Sequence, residues 1–299
     1  ALWVRTAPSF APDRARYHGL AYQPPEPDAL TAREGGVVRD FLEAATSRGM
    51  TTHLQVQAVI PPGYRVQFGG ARPADQPLGP DGQSVPGRVD GNARLASEDV
   101  LAYGEALLGD LAAQYPMVDA IRIDWPEIPP YEFGALFFDF SPHAQKVARA
   151  LAFDRERMRR DTLRLKAAIA GLDTRAVQAM DADGLLAMLQ GYPGVRDLLA
   201  LRRALVVRLL ERYRAALPAE VGLMPQAFPP PFNRLSGFDF AAAGRITPHM
   251  GVKLYTMHWP MILRNWGDAI LAMAPQLDSP SVARALVGLL GTGAAAPDA

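Results

Sequence analysis

The chain has 299 residues, a formal net charge of zero and no cysteine, and hydrophobic residues make up 49% of it. The lack of cysteine excludes disulfides, thiolate metal sites and a cysteine nucleophile, and the neutral charge gives no overall field that would favour nucleic acid. The sequence contains no run of about 18 apolar residues, so we expect no membrane-spanning helix.

Short apolar runs alternate with helical periodicities along the chain. Strands are predicted at Leu2–Pro8, Thr52–Ile60, Met117–Trp125 and Val221–Phe228, with strand-like segments at Ile246 and Val252–His258. Helices are predicted over Thr31–Gly49, after the capping residue Ser97, over 143–217 with a break at Gly191–Gly194, and over Phe238–Ala243 and Ile262–Met273. Long loops rich in proline, glycine or aromatic residues follow the strands rather than the helices.

This order of strand, loop and helix repeats about five times and is typical of parallel strands joined by right-handed crossovers. In a (β/α) barrel, the loops that follow the strands carry the active site. We therefore predict an α/β protein with a TIM (β/α)8-type barrel over residues 1–280, including a helical insertion at 143–217 after the strand that ends at Asp124. An open doubly wound sheet is the alternative, although no glycine-rich nucleotide turn follows any strand.

Five predicted strands are fewer than the eight that close such a barrel, which indicates that the barrel is incomplete in this chain. The chain starts with Ala1 in a strand-like segment, without an initiator methionine or a signal peptide from which a compartment would follow. An incomplete barrel would expose the edge of the strand Leu2–Pro8. Residues 281–299 are predicted to be a low-complexity tail or the start of a further segment.

The predicted strand before the aromatic loop carries the strongest candidate for chemistry. Alternation places Ala120, Arg122 and Asp124 on one face, and Ile121 and Ile123 on the face that we expect to pack against helices. Asp124 falls at the carboxyl end of the strand, with Arg122 roughly 6–7 Å away on the same face. The arginine charge would keep the carboxylate ionised, as a nucleophile or an oxocarbenium-stabilising group requires.

Glu127 follows in a loop rich in proline and aromatic residues, and we expect it to face Asp124 across a cleft. Two carboxylates in contrasting environments are what acid/base glycoside chemistry requires, so Glu127 is the candidate general acid/base. Trp125 and Tyr131 offer aromatic faces for sugar rings. The alternative is that Arg122 and Asp124 form an ion pair that only fills a barrel layer, with Glu127 in solvent.

The sequence Asp119-Ala120-Ile121-Arg122-Ile123-Asp124-Trp125 resembles the fourth-strand motif of glycoside-hydrolase-like TIM barrels, a bacterial group distantly similar to the α-amylase clan. In that group an Arg-x-Asp ends the strand, and the resemblance implies that Asp124 is the nucleophile. Gly91–Ser97 and Val252–Trp259 look like a turn and a later strand of the same barrels. The chain departs from the α-amylase pattern at the end of the next strand, which offers Gln226 instead of the glutamate that acts as general acid.

Polar and aromatic side chains on the predicted inner faces and carboxyl ends of the strands are candidates for substrate binding. They are Arg5, His53, Gln55, Gln57, Trp125, Tyr131, Gln226, Lys253, Tyr255, His258 and Trp259. The polar face of Thr52–Ile60 suits the hydroxyls of a polyol, and a solvent-exposed edge strand is the alternative explanation. Lys253 is interpreted as an ion-pair partner of Asp124 or as a substrate contact.

The first hypothesis is a carbohydrate-active hydrolase that cleaves glycosidic bonds, with Asp124 as nucleophile or charge stabiliser, Arg122 as its orienting partner and Glu127 as general acid/base. The alternatives are a Schiff-base lyase or aldolase that uses Lys253, and a non-catalytic sugar-binding barrel. A carbohydrate is therefore the expected partner, rather than nucleic acid or a membrane. The five scattered histidines lack metal-binding spacing, so we predict no metal site and no cofactor.

Overall fold

The computed structural model of the chain describes residues 10–59, 71–84 and 92–291. Within these residues the protein is mixed α/β, and four parallel strands form one sheet in which their order follows the sequence. The strands are β1 (His53–Gln57), β2 (Ala120–Asp124), β3 (Gly222–Ala227) and β4 (Gly251–Val252). The predicted strand Leu2–Pro8, and Arg5 within it, lie outside the described residues.

The helices follow the strands as the sequence predicts. Helices α1 (Ala29–Glu34) and α2 (Gly36–Thr46) precede β1, and α3 (Glu98–Gln114) lies between β1 and β2. Between β2 and β3, a stretch that the structure describes throughout, the helices are α4 (Pro142–Ala150), α5 (Arg155–Ala170), α6 (Thr174–Gln178), α7 (Ala182–Gln190) and α8 (Pro193–Ala215). The later helices are α9 (Phe232–Ser236), α10 (Phe240–Gly244), α11 (His258–Met273) and α12 (Ser279–Leu290). Helix α12 packs on α11 and occupies the first part of the segment predicted as a tail or as the start of a further segment.

The predicted parallel α/β arrangement is confirmed, but the last strand is shorter than predicted. The prediction of a strand over Val252–His258 is wrong beyond Val252, because the chain leaves the sheet there and α11 begins at His258. The apolar side chains of Leu254 and Met257 are exposed, so no second layer covers them as a strand face would require. Pro260 lies in the first turn of α11, where a proline is tolerated.

One face of the sheet packs against helices. Ile121 and Ile123 of β2 are completely buried in the main hydrophobic cluster, as predicted, together with Leu223 of β3. Side chains alternate between the two faces of a strand, so Arg122 and Asp124 lie on the opposite face. The strand register aligns Gln55, Arg122 and Met224 in one row of that face, and Gln57, Asp124 and Gln226 in the next.

A buried arginine joins the helical insertion to the loop after β2. Arg202 of α8 donates hydrogen bonds to the carbonyl oxygens of Ala135, Leu136 and Phe138 in that loop, and to Leu235 in α9. Burial lowers the pKa of Arg202 to about 10. Its guanidinium is therefore balanced mainly by carbonyl dipoles, because none of its hydrogen bonds within the described residues goes to a carboxylate.

Helix α3 packs closely on α8 at a glycine. A Cβ atom at Gly104 would overlap the hydroxyl and ring of Tyr213, which is buried and donates to the carbonyl oxygen of Ala58. Glycine to alanine inside a helix normally stabilises by about 1 kcal/mol. At this position we expect Gly104→Ala to lower the free energy of unfolding by about 2 kcal/mol, because the core would be overpacked.

Urea unfolding measures this effect, and Gly109→Ala in the same helix is the matched control. A Cβ atom at Gly109 would meet its nearest neighbours at 3.6 and 3.7 Å, which are ordinary contacts. We expect this control to be neutral or stabilising. Equal effects of the two substitutions would contradict the packing described here.

None of the helices in residues 10–59, 71–84 and 92–291 has the length and apolar character that crossing a membrane needs.

Candidate functional site

An ion pair between a partly exposed aspartate and a buried lysine connects the carboxyl ends of β2 and β4. Asp124 ends β2 and Lys253 follows β4 directly, and the Asp124 Oδ1 lies 2.6 Å from the Lys253 Nζ. The ammonium group also lies over the rings of Phe228 and Trp125, 4.7 and 5.4 Å from their centroids. Burial lowers the pKa of Lys253, whereas its acidic neighbours act in the opposite direction. The predicted ion pair between Lys253 and Asp124 is therefore present.

The backbone is strained directly after this aspartate. Trp125 has a φ of 51°, in the left-handed region that non-glycine residues rarely adopt. Three contacts hold it there: its N–H donates to Asp124 Oδ1 at 3.0 Å, its carbonyl oxygen accepts from Asn92 at 3.1 Å, and its ring packs edge-on against Tyr131. Such strain of about 1–2 kcal/mol is common at functional sites.

Glu127 is completely enclosed by protein. Its carboxylate accepts a hydrogen bond from the backbone N–H of Phe228 at 2.7 Å and another from the hydroxyl of Ser236. Burial raises the pKa of Glu127 to about 7, against the lowering effects of Lys253 and of these hydrogen bonds. The expectation that Glu127 faces Asp124 across an open cleft is corrected: a carboxylate in this loop gains donors by turning toward the end of β3 and α9.

The hydrogen bonds around Glu127 suit both of its protonation states. The Ser236 hydroxyl also lies within donating distance of the carbonyl oxygen of Asn233, at 3.1 Å. When Glu127 is ionised, the hydroxyl can donate to the carboxylate. When Glu127 carries a proton, it can donate to the Ser236 oxygen while that hydroxyl donates to the carbonyl instead. The site can therefore hold a proton at neutral pH without leaving a buried donor unpaired.

This burial predicts a pH-dependent stability. Folding raises the pKa of Glu127 from 4.5 to about 7. Between these values the folded protein keeps a proton that the unfolded chain has released, so the free energy of unfolding falls as the pH rises. We expect Glu127 to cause a loss of about 3 kcal/mol across this window. Urea unfolding of the wild-type protein and of Glu127→Gln from pH 5 to 7.5 measures it, and parallel curves would contradict it.

Arg122 bonds to an amide and not to the neighbouring aspartate. Its Nη2 donates to Gln226 Oε1 at 2.7 Å, so the expectation that Arg122 orients Asp124 is corrected. The physical reason is that Lys253 reaches Asp124 from β4 and takes that carboxylate. Gly251 gives Gln226 the space it occupies, because a side chain there would overlap the Gln226 amide.

The polar side chains of β1 lie on the same face of the sheet. His53 and Gln55 are exposed, and Gln57 is half-buried with a shielded side-chain oxygen for which the described residues provide no hydrogen-bond donor. Within the described residues β1 pairs only with β2 and is therefore an edge strand. On its polar face the side chains of His53 and Gln55 are open to solvent, and the strand register places Gln55 beside Arg122.

Of the remaining predicted site residues, Tyr131 and Tyr255 contact His258, whereas Trp259 packs elsewhere. The Tyr131 hydroxyl lies 3.2 Å from His258 Nε2, and the ring of the exposed Tyr255 meets the His258 ring edge-on at 4.7 Å. Burial lowers the pKa of His258. Trp259 packs on the ring of Phe232, at 4.6 Å between centroids. Both rings belong to a second hydrophobic cluster, which also contains Trp125 and Phe228.

The aromatic rings of the loop after β2 are packed inward. Trp125 is 9% and Tyr131 is 3% exposed, so the expectation that they offer faces to sugar rings is corrected for this conformation. Both rings belong to an aromatic cluster with Phe228, because large apolar rings gain more by burial than by solvation. Of the predicted aromatic candidates, Tyr255 alone is largely exposed in the described part of the chain.

Sequence reasoning missed the residues that hold Glu127 and its loop. Ser236 is 109 residues further along the chain, in a short helix that carries no local signal for this contact. Asn92 donates to the carbonyl oxygens of both Trp125 and Glu127, at 3.1 and 3.2 Å. Only the three-dimensional fold brings these groups together.

No known protein-family model matches the chain, and no curated protein is significantly similar to it in sequence. In the described ranges, no group of three or more His, Asp or Glu side chains is arranged to hold a metal ion. The fold and the site define a mixed α/β protein in which a parallel sheet carries two contrasting carboxylates and a buried lysine at the carboxyl ends of its strands. A functional assignment therefore rests on this geometry.

Proposed function

We propose that the sheet is part of a (β/α) barrel. The order of the strands supports this architecture, because the strands of a barrel follow one another in sequence order, whereas a doubly wound sheet reverses its order at a switch point. The candidate site also lies at the carboxyl ends of the strands, where barrel enzymes carry their active sites. The resemblance of Arg122-Ile123-Asp124 to the strand motif of glycoside-hydrolase-like barrels gives independent support.

We propose further that the protein hydrolyses glycosidic bonds. The observation that carries this proposal is the contrast between its two carboxylates. Asp124 forms an ion pair with the ammonium group of Lys253, with 2.6 Å between Oδ1 and Nζ. Glu127 is buried and has no ion pair with a described residue, although Lys253 acts to lower its pKa. Burial raises the pKa of Glu127 to about 7, which lets it carry a proton at neutral pH. An ionised and a protonated carboxyl group are the two reagents of glycoside hydrolysis.

In this mechanism Asp124 meets the positive charge that develops at the anomeric carbon as the glycosidic C–O bond breaks. The Glu127 proton passes to the leaving oxygen, and a water molecule then supplies the hydroxyl for the sugar and returns a proton to Glu127. Phe228 and Ser236 cover Glu127 in the present conformation. Substrate binding must therefore displace the segment 228–236 for the proton to reach the leaving oxygen.

A panel of 4-nitrophenyl glycosides tests the proposal. It contains both anomers of neutral hexosides and pentosides and of the corresponding uronides, and release of 4-nitrophenol is measured with Asp124→Asn as the control. We expect at least one glycoside to be hydrolysed by the wild-type protein and not by the variant. A panel without hydrolysis rejects the glycosidase. If the wild-type protein binds sugar without turnover and Asp124→Asn binds it equally, the sugar-binding barrel is the correct reading.

The buried Lys253 keeps a second function open, a Schiff-base lyase or aldolase. A desolvated lysine with a lowered pKa is suited to attack a carbonyl group. Borohydride reduction in the presence of pyruvate or glycolaldehyde, followed by peptide mapping, tests this chemistry. The chain provides its own controls in Lys146 and Lys166. An adduct confined to Lys253 supports the lyase, and an equal distribution over the three lysines rejects it.

A further inference from the structure

The positive charge of Arg122 has no acidic partner within the described residues. Its Nη2 donates to the neutral amide of Gln226 at 2.7 Å. Its Nε is shielded from solvent and has no hydrogen-bond acceptor in the part of the chain that the structure describes. The closest carboxylate along the same strand face is Asp124, whose Oδ1 instead pairs with the Lys253 Nζ at 2.6 Å. Arg122 therefore presents a cation on the polar face of the sheet, beside the proposed reaction centre.

The bond between Arg122 and Gln226 leaves further donors unused. A guanidinium can only donate, so it fixes the oxygen of the Gln226 amide toward itself and turns the amide nitrogen away. That nitrogen, Nε2, is also buried, and residues 10–59, 71–84 and 92–291 offer it no acceptor. Two donors on neighbouring strands that find no acceptor among the described residues are costly to bury. An acceptor that arrives with a ligand would complete the arrangement.

The charges around the site favour an anionic ligand. Arg122 and Lys253 are the cations, and Asp124 and Glu127 are the acidic groups. In the state proposed for catalysis Glu127 carries its proton, so two cations then face one carboxylate. The exposed Gln55 lies beside Arg122 in the strand register and offers its amide to neighbouring hydroxyls. A neutral sugar would use this amide but would leave the arginine charge unpaired.

We propose that Arg122 and Gln226 bind an anionic group of the sugar, so that the substrate belongs to the acidic carbohydrates, with a carboxylate or a sulfate near the bond to be cleaved. The sugar in this inference rests on the proposed function. The anion rests on Arg122 and Gln226 alone. Charge-assisted hydrogen bonds from a guanidinium to an oxyanion are among the stronger contacts that a site can make.

Isothermal titration of the full chain with monosaccharides tests the proposal. The probes are D-glucuronate and D-galacturonate, D-glucose and D-galactose as neutral counterparts, and galactose 6-sulfate to separate sulfate from carboxylate. We expect an acidic sugar to bind at least about tenfold more tightly than its neutral counterpart. Arg122→Gln should reduce this preference to less than about twofold. Arg264→Gln, which removes the same charge from an exposed helix position, should leave it unchanged.

Circular dichroism checks that Arg122→Gln is folded. If it is not, Arg122→Lys decides, because it keeps the charge without the planar fork and should weaken acidic-sugar binding about threefold while neutral sugars are unaffected. The proposal is overturned if acidic and neutral sugars bind equally, if neither binds, or if the preference survives Arg122→Gln. An acidic sugar that binds through Arg122 while no glycoside is cleaved rejects the proposed hydrolysis and keeps the anion site. Cleavage of neutral glycosides without a binding preference for acidic sugars rejects the anion site and keeps the proposed hydrolysis.

Discussion

Asp124→Asn is expected to lower the turnover of every glycoside that the wild-type protein cleaves by about a thousandfold. The amide matches the carboxylate in shape but lacks the negative charge that meets the developing charge at the anomeric carbon. The measurement is kcat/KM on the best aryl glycoside of the panel. Ordinary activity in the variant would mean that Asp124 is not the reacting group and that the glycosidase proposal should be abandoned.

Asp124→Asn also leaves the buried ammonium group of Lys253 without its ion-pair partner, so the variant needs a control for lost stability. The Lys253 side chain is 2% exposed, and removing its partner is expected to cost about 3 kcal/mol of stability. The double variant Asp124→Asn/Lys253→Met removes the stranded ammonium group as well and should recover part of that stability without recovering turnover. If the double variant regained activity, the loss in the single variant would be structural.

Glu127→Gln is expected to separate substrates by their leaving groups. Glycosides whose leaving group needs no proton, such as 4-nitrophenyl glycosides, should be cleaved at nearly the wild-type rate. Glycosides with alkyl or sugar leaving groups should lose about a hundredfold to ten-thousandfold, because no proton reaches the departing oxygen. Glutamine is a conservative replacement here, since its amide can accept from the Phe228 N–H and donate to the Ser236 oxygen.

The pH profile gives a second readout of the same group. Glu127 must be protonated to act as the acid, so cleavage of poor leaving groups should decline above a pH of about 7. This decline should be absent for activated glycosides and in the variant. Equal losses on both substrate types would instead assign Glu127 a positioning role, in which it holds the loop after β2 against the end of β3.

Patterns within short stretches of sequence were sufficient to predict which side chains of β2 face the helices and where α3 begins. Alternation along β2 separates Ile121 and Ile123 from Arg122 and Asp124, and the apolar pair could only face the helices. The capping serine correctly marked the start of α3. Because parallel strands end at a common edge, a lysine after β4 was also a reasonable partner for Asp124, and it is that partner.

The parts that could not be predicted depend on contacts between distant segments. The mixed polar and apolar segment after Val252 has the same sequence pattern whether or not a second layer covers its apolar side chains, so the early end of β4 was not visible in the sequence. The burial of Glu127 depends on Ser236, which the chain brings back only through α9. Arg122 bonds to Gln226 because Lys253 already pairs with Asp124. The spacing of residues along the sequence does not predict which of the two cations pairs with Asp124.

The hydrogen bonds of Arg202 make the helical insertion inseparable from the wall of the candidate site. This one side chain of α8 anchors the loop after β2, through Ala135, Leu136 and Phe138, and also Leu235, the neighbour of Ser236 in α9. Deleting the helices between β2 and β3 would release these carbonyl groups and loosen the cover over Glu127 at the same time. Helix α8 is therefore a constraint on how this protein can diverge or be engineered, because a variant without Arg202 must supply other donors to these carbonyl groups.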